Sequence, residues 1–169
     1  MKWVFRSLGA LIALVLIVVL VGYLLPRDHV ASVQARLAAS PEEVWGTMEN
    51  VDAYPKWRAG VDGVERLPDR DGRMAWRELS STGAMTLGVE EGDPGRRWVV
   101  RILDEDLPFG GTWTYDLRPD GEGTVLTITE DGSVYNPIYR FVSRFVMGHD
   151  ATMRAWVADL RAHLGEPAA

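Results

Sequence analysis

Between Gly60 and Val134, turn signals recur so often that no crossover connection fits between neighbouring segments, and this spacing constrains the fold more than any other feature of the chain. The punctuation is Asp69-Arg70-Asp71-Gly72, Ser81-Thr82-Gly83, Gly92-Asp93-Pro94-Gly95 and Pro119-Asp120-Gly121-Glu122-Gly123. It separates six candidate strands over residues 61–66, 73–80, 84–91, 97–103, 111–117 and 124–134. Gaps this short favour antiparallel hairpins. Alternation puts Met74, Trp76 and Glu78 on one face of their strand, Trp98, Val100 and Ile102 on one face of theirs, and Trp113, Tyr115 and Leu117 likewise.

Helices flank this meander. Upstream, residues 30–37 alternate as a strand with Val33, Ala35 and Leu37 on one side. Ser40-Pro41-Glu42-Glu43 then forms a capping box, and Val44, Trp45, Met48 and Val51 supply the apolar face of a short helix that Pro55 ends. Downstream, Asn136 as N-cap and Pro137 at the first helical position open a helix over 136–164. Its stripe runs Ile138, Phe141, Phe145, Met153, Trp156, Leu160, Leu164, with His149 interrupting it four residues from Phe145 and from Met153. The order is strand, helix, six strands, long helix. That is an α+β arrangement, a β-α-β6-α antiparallel sheet wrapped around a long C-terminal helix.

The first residues are a membrane element. From Leu8 to Leu25 there is no charge, and eighteen helical residues reach about 27 Å, near the thickness of a bilayer core. Lys2 and Arg6 precede the run, and Pro26-Arg27-Asp28 follows it. The length of the run and bulky Tyr23-Leu24-Leu25 agree better with a retained anchor than with a cleaved signal, whose alternative site would fall within residues 31–35. The chain thus divides into an anchor at 1–26 and a domain at 27–169. The charge bias places the N-terminus in the cytoplasm and the domain outside, in the periplasm if the source is bacterial.

Beyond the anchor, 24 acids face 16 bases, a balance that argues against nucleic-acid binding. The chain has no cysteine, so thiolate metal sites and cysteine nucleophiles are excluded. No nucleophile elbow, zinc-protease helix or phosphate loop occurs, and histidines 29, 149 and 163 are too dispersed to suggest a metal. No cofactor and no metal are expected.

The element order, with SPEEVWGTMENVDAYPKW near the start and GTWTYDLRPDGEGTVLTITEDGSV before the final helix, resembles the START-like (SRPBCC) superfamily, whose helix-grip fold is shared by polyketide cyclase/dehydrase-like proteins and lipid-transfer domains. The resemblance covers residues 29–164. It implies an apolar cavity between sheet and C-terminal helix that takes a lipid or another hydrophobic small molecule. Residues expected to line it are Trp76, Met85, Trp98, Trp113 and Tyr115 from the sheet, and Phe145, His149, Met153 and Trp156 from the helix, with Trp45 and Trp57 at the mouth. His149 is a candidate general base or hydrogen-bond donor, unless it is a satisfied residue at a bend beside Gly148. Glu78 is a candidate cavity acid, although a carboxylate on a strand more often faces water. Three functions follow: a membrane-tethered binding protein, a cyclase-like enzyme using His149 or Glu78, and an interaction module with a filled core.

Overall fold

The computed structural model describes residues 2–167. Helix α1 (Lys2–Leu24) leads, after three residues, into strand β1 (Asp28–Leu37). Helix α2 (Pro41–Glu49), a 3-10 turn and the single-turn α3 (Tyr54–Trp57) follow. The meander is β2 (Gly63–Arg70), β3 (Arg73–Ser80), β4 (Gly83–Asp93), β5 (Arg97–Ile102), β6 (Phe109–Asp120) and β7 (Gly123–Val134). Helix α4 (Pro137–Val142), a π turn (Ser143–Met147) and helix α5 (Ala151–His163) close the chain.

All seven strands form one antiparallel sheet in the order β1-β7-β6-β5-β4-β3-β2. Each hairpin partner is its sequence neighbour except β1, which closes against β7 with Leu37 opposite Thr124. The β4–β5 ladder shifts register between Val89 and Glu91, a bulge that bends the sheet. Helix α5 lies across the concave face and buries Met153, Trp156, Val157 and Leu160 among Leu37, Val44, Met48, Leu126 and Ile128. The capping box of α2 forms as the sequence dictates: Glu43 N–H donates to Ser40 Oγ, and Ser40 N–H donates to Glu43 Oε2.

The C-terminal helix is not continuous, contrary to the apolar stripe. Asn136 caps α4 through Ile138 N–H, but the helix widens into a π turn and stops at Gly148. Gly148 has φ +83, a left-handed conformation that a side chain resists. The polypeptide changes direction there, so the two halves of the stripe bury against different partners. Helix α4 packs on the last turns of α1, where Gly22 is so close that a Cβ would overlap the carbonyl of Pro137. Buried Arg140 donates to the carbonyl of Leu25 at 3.1 Å and of Tyr135 at 3.0 Å, capping the C-terminal end of α1.

Residues Phe5–Leu24 are long and apolar enough to cross a membrane, with a mean hydropathy of 2.7 and 6% of the stretch buried. Met1, Ala168 and Ala169, the outermost residues of the two segments expected at 1–26 and 27–169, lie outside the described residues.

Candidate functional site

The space between sheet and helix is divided into two parts. The inner part, about 60 Å³, sits under an aromatic row: Trp76 stacks on Trp98 at 5.8 Å, Trp98 meets Tyr115 at 5.8 Å, and Tyr115 meets Trp156 at 5.1 Å. Met85, Trp113 and Met153 complete its wall. These side chains fill most of the room themselves. Burial pushes the Tyr115 and Tyr54 phenols up, so both stay neutral.

Glu78 lies in this inner part, not in water. Its Oε1 accepts from Arg58 Nη1 at 2.7 Å and from Trp76 Nε1 at 3.1 Å. The expectation of a solvent-facing Glu78 fails because Arg58, just after α3, supplies the buried counter-charge, itself resting over the Tyr54 ring at 4.9 Å. No local pattern signals that pairing, which depends on where α3 meets the sheet.

The outer part is larger, about 370 Å³, within the range of small-molecule sites. The ends of β6 and β7 form one wall, and α4, the π turn and the His149 segment form the other. Met85, Trp113 and Thr152 border both parts. Phe145 was expected here and is misplaced. It is 59% exposed and lines neither part, because the π turn rotates it away from the sheet. Trp45 and Trp57 do not form the mouth either: Trp45 sits edge-on to Trp98, and Trp57 packs on Trp156 and His163.

The polar content of the outer part is one connected group. Trp113 Nε1 donates to Glu130 Oε2 at 2.9 Å, and His29 Nε2 donates to Glu130 Oε1 at 3.2 Å. The His29 ring stacks on His149 at 4.0 Å. His149 Nδ1 is buried with no hydrogen-bond partner. Burial holds the His149 imidazole below its usual range, and the neighbouring His29 and Arg144 add to this; Glu130 and Asp150 oppose it. His149 is therefore a neutral ring at a cavity wall, with its Nδ1 enclosed by protein.

The two histidines looked dispersed in sequence, yet the fold stacks them. A signal existed: the inward parity of β1 at Leu37, Ala35 and Val33 continues through Ala31 to His29, and that of β7 runs through Ile128 to Glu130. Among the described residues, no group of three or more His, Cys, Asp or Glu side chains is placed to hold a metal.

A seven-stranded antiparallel sheet gripping a C-terminal helix over an internal cavity defines a START-like, helix-grip protein. The model of the family described as polyketide cyclase / dehydrase and lipid transport matches residues 28–165, and the chain belongs to that family. Solved structures with the same fold include the Zhui aromatase/cyclase of a Streptomyces species, at 20% identity, covering 82% of this chain and 92% of that one with a TM-score of 0.65. A START superfamily protein from Mycobacterium smegmatis shares 16% identity over 81% of this chain and 97% of its own, TM-score 0.64. A norcoclaurine synthase from the plant Thalictrum flavum shares 13% identity over 81% and 94%, TM-score 0.64. Among curated proteins, none matches the sequence.

Proposed function

We propose that this protein is a membrane-tethered binding protein for a lipid or another hydrophobic small molecule. The carrying observation is the outer cavity of about 370 Å³, bounded by α4 and the π turn, in a domain joined to the apolar helix α1 by only three residues. A ligand leaving the bilayer beside α1 would have little distance to travel. The charge bias at the ends of α1 supports a cytoplasmic N-terminus with the domain on the opposite side. Native mass spectrometry and lipid extraction of the full chain, released from detergent, test the reading. A stoichiometric hydrophobic adduct, lost in Trp113→Arg, is expected. A protein that carries no adduct and binds no lipid or aromatic probe refutes it.

One observation favours a second reading, proton transfer of the cyclase kind. The neutral His149 ring lines the outer cavity beside the His29–Glu130 pair, which supports it as a proton acceptor for a carbonyl compound held there. Glu78 supports it less, since Arg58 and Trp76 already occupy the carboxylate. The third possibility, an interaction module with a filled core, has less support, because the outer cavity leaves the core open.

A further inference from the structure

On the far side of the stacked histidines lies a third space, about 340 Å³, open to solvent and bordered by residues 25–30, Val134 and the α4–π-turn segment. It shares His29, Val134, Ser143 and His149 with the outer cavity, so the two meet across the imidazoles. Their chemistry differs. The outer cavity is walled mainly by apolar groups; this vestibule collects Arg27, Arg140 and Arg144 around the two histidines.

Three converging arginines are unusual in a chain of net charge −6. Among the described residues, eight arginines pair with a carboxylate, and of the eight that do not, Arg6, Arg70, Arg73, Arg118 and Arg161 lie outside this space while three gather in it. Arg27, Arg140 and Arg144 make no such pair. The one carboxylate of the vestibule, Asp28, accepts from Ser133 Oγ at 2.6 Å. Arg140 is 8% exposed, bonds only to backbone carbonyls, and has a buried Nε with no partner. The half-charge at the C-terminal end of α1 offsets part of Arg140, while Arg27, resting over the Tyr135 ring at 5.1 Å, and Arg144 have no counter-charge. Position adds a further argument: the twenty-residue stretch Phe5–Leu24 reaches about 30 Å, so in a bilayer-spanning α1 the chain just beyond Leu24 lies at the depth of lipid headgroups.

We propose that the vestibule holds the anionic head of an amphiphile, a phosphate or a carboxylate, whose apolar body lies in the outer cavity. Arg27 and Arg144 supply charge-assisted bonds to the head, and the His29 and His149 rings stand where head and body join. This rests on the outer cavity being a site for hydrophobic ligands, and it specifies the ligand as an anionic amphiphile.

The test uses the full chain in neutral detergent micelles, with quenching of the tryptophan fluorescence and native mass spectrometry as readouts. Four probes separate the sources of binding: a phosphatidic acid, oleate, the diacylglycerol with the same chains, and inorganic phosphate. The expected result is one-to-one binding of phosphatidic acid or oleate at least about tenfold tighter than diacylglycerol, with inorganic phosphate far weaker. Arg27→Gln/Arg144→Gln, both at exposed positions, is expected to remove that preference while diacylglycerol still binds. Arg118→Gln, which removes one positive charge near the end of β6, is expected to change nothing. Equal binding of diacylglycerol and phosphatidic acid, or an Arg118 variant as weak as the double variant, overturns the vestibule as a head site and leaves the binding-protein reading standing. Failure of every amphiphile, with or without binding of inorganic phosphate, overturns both.

Discussion

Arg58→Met offers the sharpest test of how the interior is divided. The substitution keeps the volume of the side-chain stem and removes the guanidinium, leaving the Glu78 carboxylate with the Trp76 Nε1 bond alone. The Glu78 side chain is 7% exposed and that of Arg58 18%. Breaking a buried pair from one side costs about 3–5 kcal/mol, and the water that reaches Arg58 puts this site near the lower end, about 3 kcal/mol. Glu78→Gln is milder, about 1–2 kcal/mol, because an amide oxygen still accepts from Trp76 and Arg58 reaches solvent. The double variant Arg58→Met/Glu78→Gln removes both charges together and is expected to cost only about 2 kcal/mol, a coupling of about 2 kcal/mol between the sites. Urea unfolding of the detergent-solubilised chain, followed by tryptophan fluorescence at neutral pH, measures all three. If the two single costs add within about 0.5 kcal/mol, Glu78 is not committed to Arg58. It then becomes available as a cavity acid, and the assignment of this end of the interior to structure is wrong.

Two further outcomes follow from the end beside α1. His149 is held below its ordinary value of 6.5, so the unfolded chain binds a proton there before the folded one does; the stability it contributes is present above about pH 6.5 and is lost as pH falls through the lowered folded value. His29 and Arg144 repel the extra charge and Glu130 and Asp150 attract it, with the repulsive side larger, so thermal unfolding from pH 7.5 to 5 should fall more steeply for the wild type than for His149→Asn; parallel curves refute the assignment. Gly22→Val places a side chain against the carbonyl of Pro137 and should cost roughly 1–3 kcal/mol of local stability, read as faster amide exchange over residues 137–142 in nanodiscs; unchanged exchange means that α1 does not dock on α4.

What could be read in the sequence follows from how local each determinant is. Strand β3 spans the expected 73–80 because turn residues bound it on both sides, and the α2 capping box needs only residues within one turn. Strand parity also sorted Trp76, Trp98 and Tyr115 inward, since alternation is a property of the backbone. The C-terminal stripe misled because periodicity survives a break that one residue causes: Gly148 turns the chain, and Phe145 leaves the face that its spacing assigned. The partner of Glu78 was out of reach for another reason, and strand parity turned His29 inward without placing it against His149. Arg58 and His29 are distant in sequence, and their arrival depends on the docking of α3 and on the closure of β1 against β7.

The two ends of the interior differ in whether their polar groups are finished. At the inner end the charged group is answered, Glu78 by Arg58 and Trp76, and the Tyr54 hydroxyl donates to the carbonyl of Met48 at 2.7 Å, although Trp57 Nε1 beside it is buried without a partner. Only about 60 Å³ remains there, and aromatic rings line it. A folded chain gains stability from such closure, and nothing in it asks for a ligand. At the end beside α1 the accounts stay open. His149 Nδ1 and Arg140 Nε are buried without partners, three arginines lack carboxylates, and two spaces of about 370 and 340 Å³ meet at the stacked histidines. An unanswered buried donor or acceptor costs about 1–3 kcal/mol, so a fold holding several beside a cavity gains whatever a complementary guest returns. The same segment that leaves them open, α4 and its π turn, is the one that packs on α1. A guest that satisfies these groups therefore also ties the domain to its apolar helix, and amide exchange over 137–147 should slow when phosphatidic acid binds and stay unchanged with inorganic phosphate alone.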